Sequence, residues 1–331
     1  MRYFHFCAHE QFPPDQLLRQ ASAAEAAGFD GIGCSDHLQP WWEPGESGQA
    51  WVWLGAAGQA TGLPLGTGVT PPGPRYHPVL IAQAWATLET MFPGRPYLGI
   101  GSGEALNEAP LGQGWPAVGE QIERMAEAIE IIRALWDGER LTREGRYFCA
   151  DRAHIHTLPA RKPPIYVSAF GPEAARVAGE LGDGLWTLAD PEAVPEIVDA
   201  YRGAAEDARR EPGEIVLQAA FSWAPDDDAA LEGARVWKAA QPKEFYRDDW
   251  HDPAAMYEHA EQQVSDEELK EAMIIAADPA THVERIREVE ELGATTVALM
   301  NNSGADPLAA IEVYGREVLP QLSAAEAGAA R

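Results

Sequence analysis

Residues 279–300, PATHVERIREVEELGATTVALM, contain the pattern that decides the fold class. Pro279–Leu292 has the periodicity of a helix, and Thr295–Met300 is a short apolar run typical of a buried strand. Gly293 lies between them, where a helix commonly ends. A helix, a glycine and then a strand is the connection expected in a parallel sheet.

The same unit recurs along the chain. The predicted strands are Tyr3–Ala8, Gly31–Ser35, Leu63–Val69, Tyr97–Ile100, Pro164–Ala169, Gly184–Leu188, Ile215–Phe221 and Thr295–Met300. This number favours an α/β fold of the closed (β/α)8 TIM barrel type over an open sheet, because no GxGxxG motif follows the first strand. Two insertions are predicted, Asp137–Pro163 after strand 4 and Pro225–Leu269 after strand 7. No linker divides the chain, so we expect residues 1–331 to form one domain with a frayed, Ala-rich end.

The charge balance excludes two classes of function. The chain has 331 residues, with 25 Lys and Arg against 52 Asp and Glu, and a formal net charge of −27. A polyanion repels phosphate backbones and anionic lipid, so we expect neither a nucleic-acid partner nor membrane association. Hydrophobic residues make up 46% of the chain, which is enough for a full core.

The three cysteines do not form a disulfide or zinc-binding pattern. Cys7, Cys34 and Cys149 are odd in number, widely spaced and outside any CxxC motif. The histidines show no metal-ligand spacing either, and we expect no metal. The N-terminal segment has no charged-then-apolar signal pattern. These features together predict a cytoplasmic protein.

Titratable side chains follow several predicted strands, which is where barrels carry their catalytic groups. His37 has Asp36 beside it, a pairing suited to proton abstraction, although a lone histidine can also be purely structural. Glu104 is either a general acid, if burial raises its pKa, or the N-cap of the next helix. Glu10 either orients His37 or is an exposed loop acid. Trp41 either stacks on a planar ring or packs in the core.

Three motifs carry a resemblance to a known family. They are His9–Phe12 (HEQF), Ser35–Trp41 (SDHLQPW) and Leu98–Glu108 (LGIGSGEALNE). With them the sequence resembles the luciferase-like flavin and deazaflavin oxidoreductases, and within these the branch of glucose-6-phosphate dehydrogenases that use coenzyme F420. The resemblance is dense over residues 1–120 and thin in the second insertion.

The resemblance implies a hydride transfer assisted by proton transfers. His37 would remove the anomeric hydroxyl proton of a sugar or sugar 6-phosphate as a hydride leaves the sugar carbon, giving the lactone. Trp41 would stabilise the charged state, Glu104 would protonate the reduced cofactor, and Glu10 would orient His37. A homodimer is also implied.

The resemblance further implies a cofactor site. In the family the bond corresponding to Gly68–Val69 is a cis peptide that forms a bulge behind the ring. Coenzyme F420 is the expected cofactor, and FMN is the alternative because a related subgroup is suspected of using it. The residues expected to line the cofactor are Asp36, Gly68, Val69, Ser102, Gly103, Asn107, Ser168, Ala169, Phe170, Gly171 and Pro172.

The phosphate-binding positions depart from the family pattern of two lysines and an arginine. Arg247 takes one lysine position, whereas Pro191 takes the other and Ala272 replaces the arginine. Arg247 is therefore the expected phosphate contact. Lysines that could substitute from a shifted loop are Lys238, Lys243 and Lys270.

These observations leave more than one function open. The substrate is a sugar, a sugar 6-phosphate or another alcohol, because two of the three expected cations are missing. An FMN-dependent oxidoreductase or monooxygenase is the alternative on the same scaffold. A flavin-binding barrel without turnover is the alternative from another class of protein.

Overall fold

The computed structural model describes residues 1–112 and 114–323, so the Ala-rich end beyond Ser323 lies outside the described residues. Among those residues, no helix combines the length and the apolar character that crossing a bilayer requires. The strands are β1 Arg2–Cys7, β2 Gly31–Cys34, β3 Leu65–Thr67, β4 Pro96–Ile100, β5 Leu141–Glu144, β6 Cys149–Ala153, β7 Ile165–Ser168, β8 Gly184–Leu188, β9 Glu214–Trp223, β10 Ile274–Ala276 and β11 Thr296–Asn301. The α-helices are α1 Pro14–Ala27, α2 Ala50–Ala60, α3 Pro78–Met91, α4 Ala105–Glu108, α5 Val118–Trp136, α6 Pro172–Leu181, α7 Val194–Asp207, α8 Asp227–Ala234, α9 Pro253–Gln263, α10 Asp266–Ala272, α11 Pro279–Glu291 and α12 Pro307–Val313.

Eight parallel strands close into a barrel surrounded by helices, which confirms the predicted (β/α)8 fold. Around the barrel the strands follow chain order: β1, β2, β3, β4, β7, β8, β9 and β11. The ring closes because β11 pairs with both β9 and β1. All eight carboxyl ends therefore meet at one rim.

The unit at residues 279–300 has the predicted structure. The Asp278 side chain accepts a hydrogen bond from the backbone N–H of Ala280 at 2.9 Å and so caps α11. Beyond the end of the helix, Gly293 has a φ of 97°, a left-handed conformation that favours glycine. β11 follows and takes its place between β1 and β9.

Aromatic side chains pack inside the barrel. The rings of Tyr97 and Trp186 are stacked with centroids 6.1 Å apart, and the ring of Phe6 is 5.8 Å from that of Trp186. A Cβ atom at Gly33 would lie 2.7 Å from the Phe6 ring, so glycine is needed for this close approach. Because the interior is packed, polar side chains that meet a ligand gather at the rim.

Two regions interrupt the alternation of strands and helices. Residues 137–163 contain the antiparallel hairpin β5–β6. Residues 225–269 contain α8, α9, the start of α10 and two short 3-10 helices, Arg235–Ala240 and Lys243–Tyr246. β10 is missing from the sequence prediction. It pairs with the end of β9, where Phe221 is opposite both Ile274 and Asn301, so β10 extends the wall beyond the end of β8.

Candidate active site

His37 follows β2 and lies between two glutamate side chains. Its Nδ1 is 3.3 Å from Glu10 Oε1, and its Nε2 is 3.4 Å from Glu104 Oε2. Glu10 follows β1 and Glu104 follows β4, so three strand ends converge on one imidazole. The structure thus brings together three of the predicted catalytic residues.

Burial shifts the protonation equilibria of all three groups. Burial, together with the positive charge of Arg75, lowers the pKa of His37 to about 3. Burial, together with the negative charge of Glu10, raises the pKa of Glu104 to about 8. The pKa of Glu10 is raised by burial to about 7. Near neutral pH the imidazole is therefore unprotonated, while the raised pKa of Glu104 favours the protonated carboxyl.

Hydrogen bonds fix both carboxyl groups. Ser35 Oγ donates to Glu10 Oε2 at 2.8 Å, and the Glu10 side chain is only 2% exposed, so it is not a loop acid in solvent. Asn107 Nδ2 donates to Glu104 Oε2 at 3.1 Å. Glu104 occupies the N-cap position of α4, but its side chain forms no capping hydrogen bond. Both carboxyl groups therefore remain directed to His37.

An aromatic cluster covers the imidazole. The Trp41 ring centroid is 5.5 Å from that of His37 and 5.2 Å from that of Tyr246. Phe170, which is 52% exposed, meets the Tyr246 ring edge-on at 5.5 Å. Tyr246 belongs to the second insertion, and sequence reasoning missed it. The signal that could have found it is the aromatic run around it, from Phe245 to Trp250.

The expected pairing of Asp36 with His37 is wrong. The Asp36 carboxylate, which is 1% exposed, accepts hydrogen bonds from Thr70 Oγ1 at 2.6 Å, Trp51 Nε1 at 3.0 Å, Tyr76 OH at 3.1 Å and Arg75 at 3.2 Å. Successive residues of an extended chain point to opposite sides, so Asp36 turns away from the imidazole. Sequence reasoning also missed a role for Arg75, although it lies in the loop after β3.

Glycines shape the wall beside the site. The Gly68–Val69 peptide bond is cis, as the family resemblance predicts. A Cβ atom at Gly68 would lie 2.6 Å from Trp186, and one at Gly101 would lie 2.3 Å from Val69. Glycine at both positions lets this segment lie directly against its neighbours.

The other residues expected to line the cofactor lie on adjacent strand ends. Ser102, Gly103 and Asn107 follow β4, and Ser168–Pro172 begins at the end of β7, which pairs with β4. Asn107 is buried, whereas Phe170 is exposed. Their role in binding stays a prediction, but they share one sector of the rim.

The candidate phosphate contact and the possible substitutes differ in their surroundings. Arg247 follows Tyr246, is exposed, and forms no salt bridge with any side chain in the described ranges. Lys238 Nζ is 2.8 Å from Asp266 Oδ1, and only 10% of the lysine side chain is exposed. Lys243 Nζ is 3.5 Å from Asp190 Oδ2. Arg247 therefore carries its charge next to Tyr246 of the aromatic cluster. A backbone hydrogen bond lowers the pKa of Glu244, and the charge of Arg247 helps to lower it.

A family model described as luciferase-like monooxygenase matches residues 1–296. The chain belongs to the luciferase-like monooxygenase family. This luciferase-like chain is 40% identical over 331 residues to an F420-dependent glucose-6-phosphate dehydrogenase of Microbacterium testaceum, with 97% of each chain covered. It is 37% identical to an F420-dependent hydroxymycolic acid dehydrogenase of Mycobacterium tuberculosis, with 95% of this chain and 86% of that one covered.

A solved structure is also similar to this chain. It is an F420-dependent secondary alcohol dehydrogenase in complex with an F420-acetone adduct, and it matches with a TM-score of 0.93. The identity is 34%, and the match covers 97% of this chain and 98% of that chain. These relatives confirm the resemblance that the three sequence motifs carry.

Proposed function

We propose that this protein is an F420-dependent dehydrogenase that oxidises the anomeric carbon of a sugar or sugar 6-phosphate to the lactone. The observation that carries the proposal is the His37 imidazole held between the Glu10 and Glu104 side chains, where burial lowers the His37 pKa and raises the Glu104 pKa. Such a pair supplies a base and an acid on one rim, which suits removal of a hydride and a proton from an alcohol. The similar dehydrogenases named for F420 support the cofactor.

The residues present fit a deazaflavin at this rim. The raised pKa of Glu104, about 8, lets its carboxyl donate a proton near neutral pH, and Phe170, 52% exposed, presents an aromatic face at the same sector of the rim. When bound, the deazaflavin supplies a two-electron acceptor for the hydride. The residues that would hold it are Gly68, Val69, Ser102, Gly103, Asn107 and Ser168–Pro172. The Asp36 carboxylate was also expected to line it, but it is 1% exposed and already accepts hydrogen bonds from four side chains.

His37 acts as the base in this proposal. With the imidazole proton on Nδ1, the nitrogen that lies 3.3 Å from Glu10 Oε1, the lone pair on Nε2 would take the hydroxyl proton of the substrate. The imidazolium that forms is stabilised by the neighbouring Glu10 carboxyl and by the Trp41 ring, whose centroid is 5.5 Å away. Glu104, whose Oε2 accepts a hydrogen bond from Asn107, would donate its proton to the cofactor after the hydride transfer. The aromatic cluster of Trp41, Tyr246 and Phe170 limits access of water.

The decisive experiment uses purified protein with oxidised F420 and a panel of sugars and sugar 6-phosphates. Loss of the visible absorbance of the cofactor with at least one of them is the expected result. No bleaching with any sugar, together with FMN retained on purification, would contradict the proposal. Tight F420 binding without bleaching would instead favour a barrel without turnover.

Arg247 provides a test of the phosphate contact. We expect Arg247→Ser to raise the KM for a sugar 6-phosphate about tenfold, because one charge-assisted hydrogen bond contributes roughly 1.5–3 kcal/mol. The KM for the unphosphorylated sugar should stay the same. Arg316→Ser, at an exposed position near α12, is the matched control. Equal changes for both substrates would remove Arg247 from the phosphate site.

A homodimer is the assembly that the surface favours. α2 contains no charged residue. α3 contains one, Glu89, which is buried and accepts a hydrogen bond from the backbone N–H of Gly94 at 2.8 Å. The outer face of these helices exposes Val52, Leu80 and Met91 at 76%, 52% and 54%. An uncharged face on a chain with 23% charged residues is typical of a surface that a second copy covers.

We place the dimer in the cytoplasm, since its cysteines are all unpaired.

We expect Val52→Glu to convert the dimer to a monomer. An uncompensated charge in an apolar interface costs about 3–5 kcal/mol, and twofold symmetry places it there twice. Light scattering coupled to gel filtration measures the mass. Leu308→Glu, at an exposed position on α12, is the control and should remain dimeric. A dimeric Val52→Glu protein would show that the interface lies elsewhere.

A further inference from the structure

Hydrogen bonds hold the chain on both sides of His37. Both sets lead to the helical turn that follows Glu104, one directly through Asn107 and the other through Arg75 and Glu108. On its far side, Asn107 Oδ1 accepts hydrogen bonds from the backbone N–H groups of Leu38 at 2.7 Å and Gln39 at 3.3 Å. The same amide donates from Nδ2 to Glu104 Oε2 at 3.1 Å. One buried side chain therefore ties the loop of the base to the carboxyl of the acid.

The near flank of His37 is held through Arg75. Its guanidinium donates to the backbone oxygen of Asp36 at 2.6 Å and to Asp36 Oδ1 at 3.2 Å. Its Nε donates to Glu108 Oε1 at 3.1 Å, and only 8% of the arginine side chain is exposed. Glu108 directly follows Asn107 in α4, so both sets of hydrogen bonds lead to the same helical turn.

We infer that Arg75 and Asn107 are positioning residues that set the distance and angle between His37 and Glu104. The inference rests on the proposed function of those two side chains as base and acid. Asn107 has a second amide hydrogen that stays free for a ligand, so its positioning role does not depend on whether it also touches a cofactor. The planar guanidinium of Arg75 donates to three acceptors, the Asp36 backbone oxygen, Asp36 Oδ1 and Glu108 Oε1. A lysine ammonium does not reproduce this geometry.

The arrangement explains why a small displacement matters. Proton transfer needs the base and acid within hydrogen-bond reach of the reacting groups, and a misplacement of about 1 Å can cost about 10²-fold in rate. Neither Arg75 nor Asn107 gives or takes a proton in the proposed reaction. Their loss should therefore lower kcat without weakening the binding of the cofactor in proportion.

The test compares Arg75→Lys and Asn107→Asp with the control Arg124→Lys, whose arginine pairs with Glu120 on α5. Arg75→Lys keeps the charge, and Asn107→Asp keeps the acceptor for Leu38 and Gln39 but loses the donor to Glu104. We expect kcat at saturating F420 to fall at least tenfold in each. The dissociation constant for F420 should change less than threefold in Arg75→Lys, whereas Asn107 is itself expected to line the cofactor, so its variant is judged by kcat at saturation. A raised dissociation constant with unchanged kcat at saturation would overturn the inference.

A second readout needs neither cofactor nor turnover. The ring resonances of ¹⁵N-labelled His37, assigned by their absence from His37→Gln, should shift in both variants and stay in place in Arg124→Lys. Unshifted resonances in both variants would overturn the inference, whether or not the wild-type protein oxidises a sugar. Wild-type protein without turnover would contradict only the proposed function. Arg75 and Asn107 form separate hydrogen bonds to the chain around His37. If one of the two variants fails to fold, the other still tests the inference.

Discussion

Replacing His37 with glutamine lowers kcat by about 10³-fold, within the 10²–10⁴-fold range of general acid–base catalysis. The reason is that the amide has no lone pair of comparable basicity to take the hydroxyl proton between Glu10 and Glu104. The measurement is steady-state oxidation of the best sugar substrate, with F420 binding followed separately by fluorescence. We expect the binding to be retained.

His156→Gln is the matched control, because this histidine is exposed and lies after β6, outside the site. It should leave kcat unchanged. Thermal unfolding of both variants shows whether the fold is kept. Full turnover by a folded His37→Gln protein would remove the histidine from the role of base.

Replacing Glu104 with glutamine lowers kcat by about 10²-fold and also changes the pH profile. In the wild-type protein the carboxyl is protonated below its raised pKa of about 8, so the rate of alcohol oxidation should fall as pH rises through this value. Glutamine cannot titrate, and this alkaline limb should therefore be absent from Glu104→Gln.

Glu10→Gln separates the contributions of the two carboxyl groups. The pKa of Glu10 is raised to about 7, so a limb owing to Glu10 would begin at lower pH. We expect Glu10→Gln to keep an alkaline limb but to move it below pH 8, because the negative charge of Glu10 helps to raise the Glu104 pKa. It should also lower kcat, because a neutral amide stabilises the imidazolium less than a carboxylate does. An unchanged limb in Glu104→Gln would show that another group supplies the proton.

The barrel was predictable because its strands and helices each carry their own periodicity and are separated by glycines such as Gly182 and Gly293. β10 was not, because its three residues, Ile274–Ala276, are too short for a periodic signal and pair only with the end of β9. Strand length there is decided by tertiary pairing rather than by local sequence.

The candidate site was predictable where strand ends carry it. Glu10, His37 and Glu104 each follow a strand, and parallel strands bring such positions together. Arg75 and Tyr246 were not, because their roles depend on how a loop and an insertion fold back over the rim. The Asp36 error has the same origin, since adjacency in sequence does not give the direction of a side chain.

The division of the site between two parts of the chain has a consequence for evolution. The proton-handling side chains all come from the loops after β1, β2 and β4, whereas Tyr246 and Arg247 belong to the insertion at residues 225–269. In the proposed function, mutation of the insertion would change the alcohol while leaving the acid–base groups in place. The names of the similar dehydrogenases cover glucose 6-phosphate, secondary alcohols and hydroxymycolic acid.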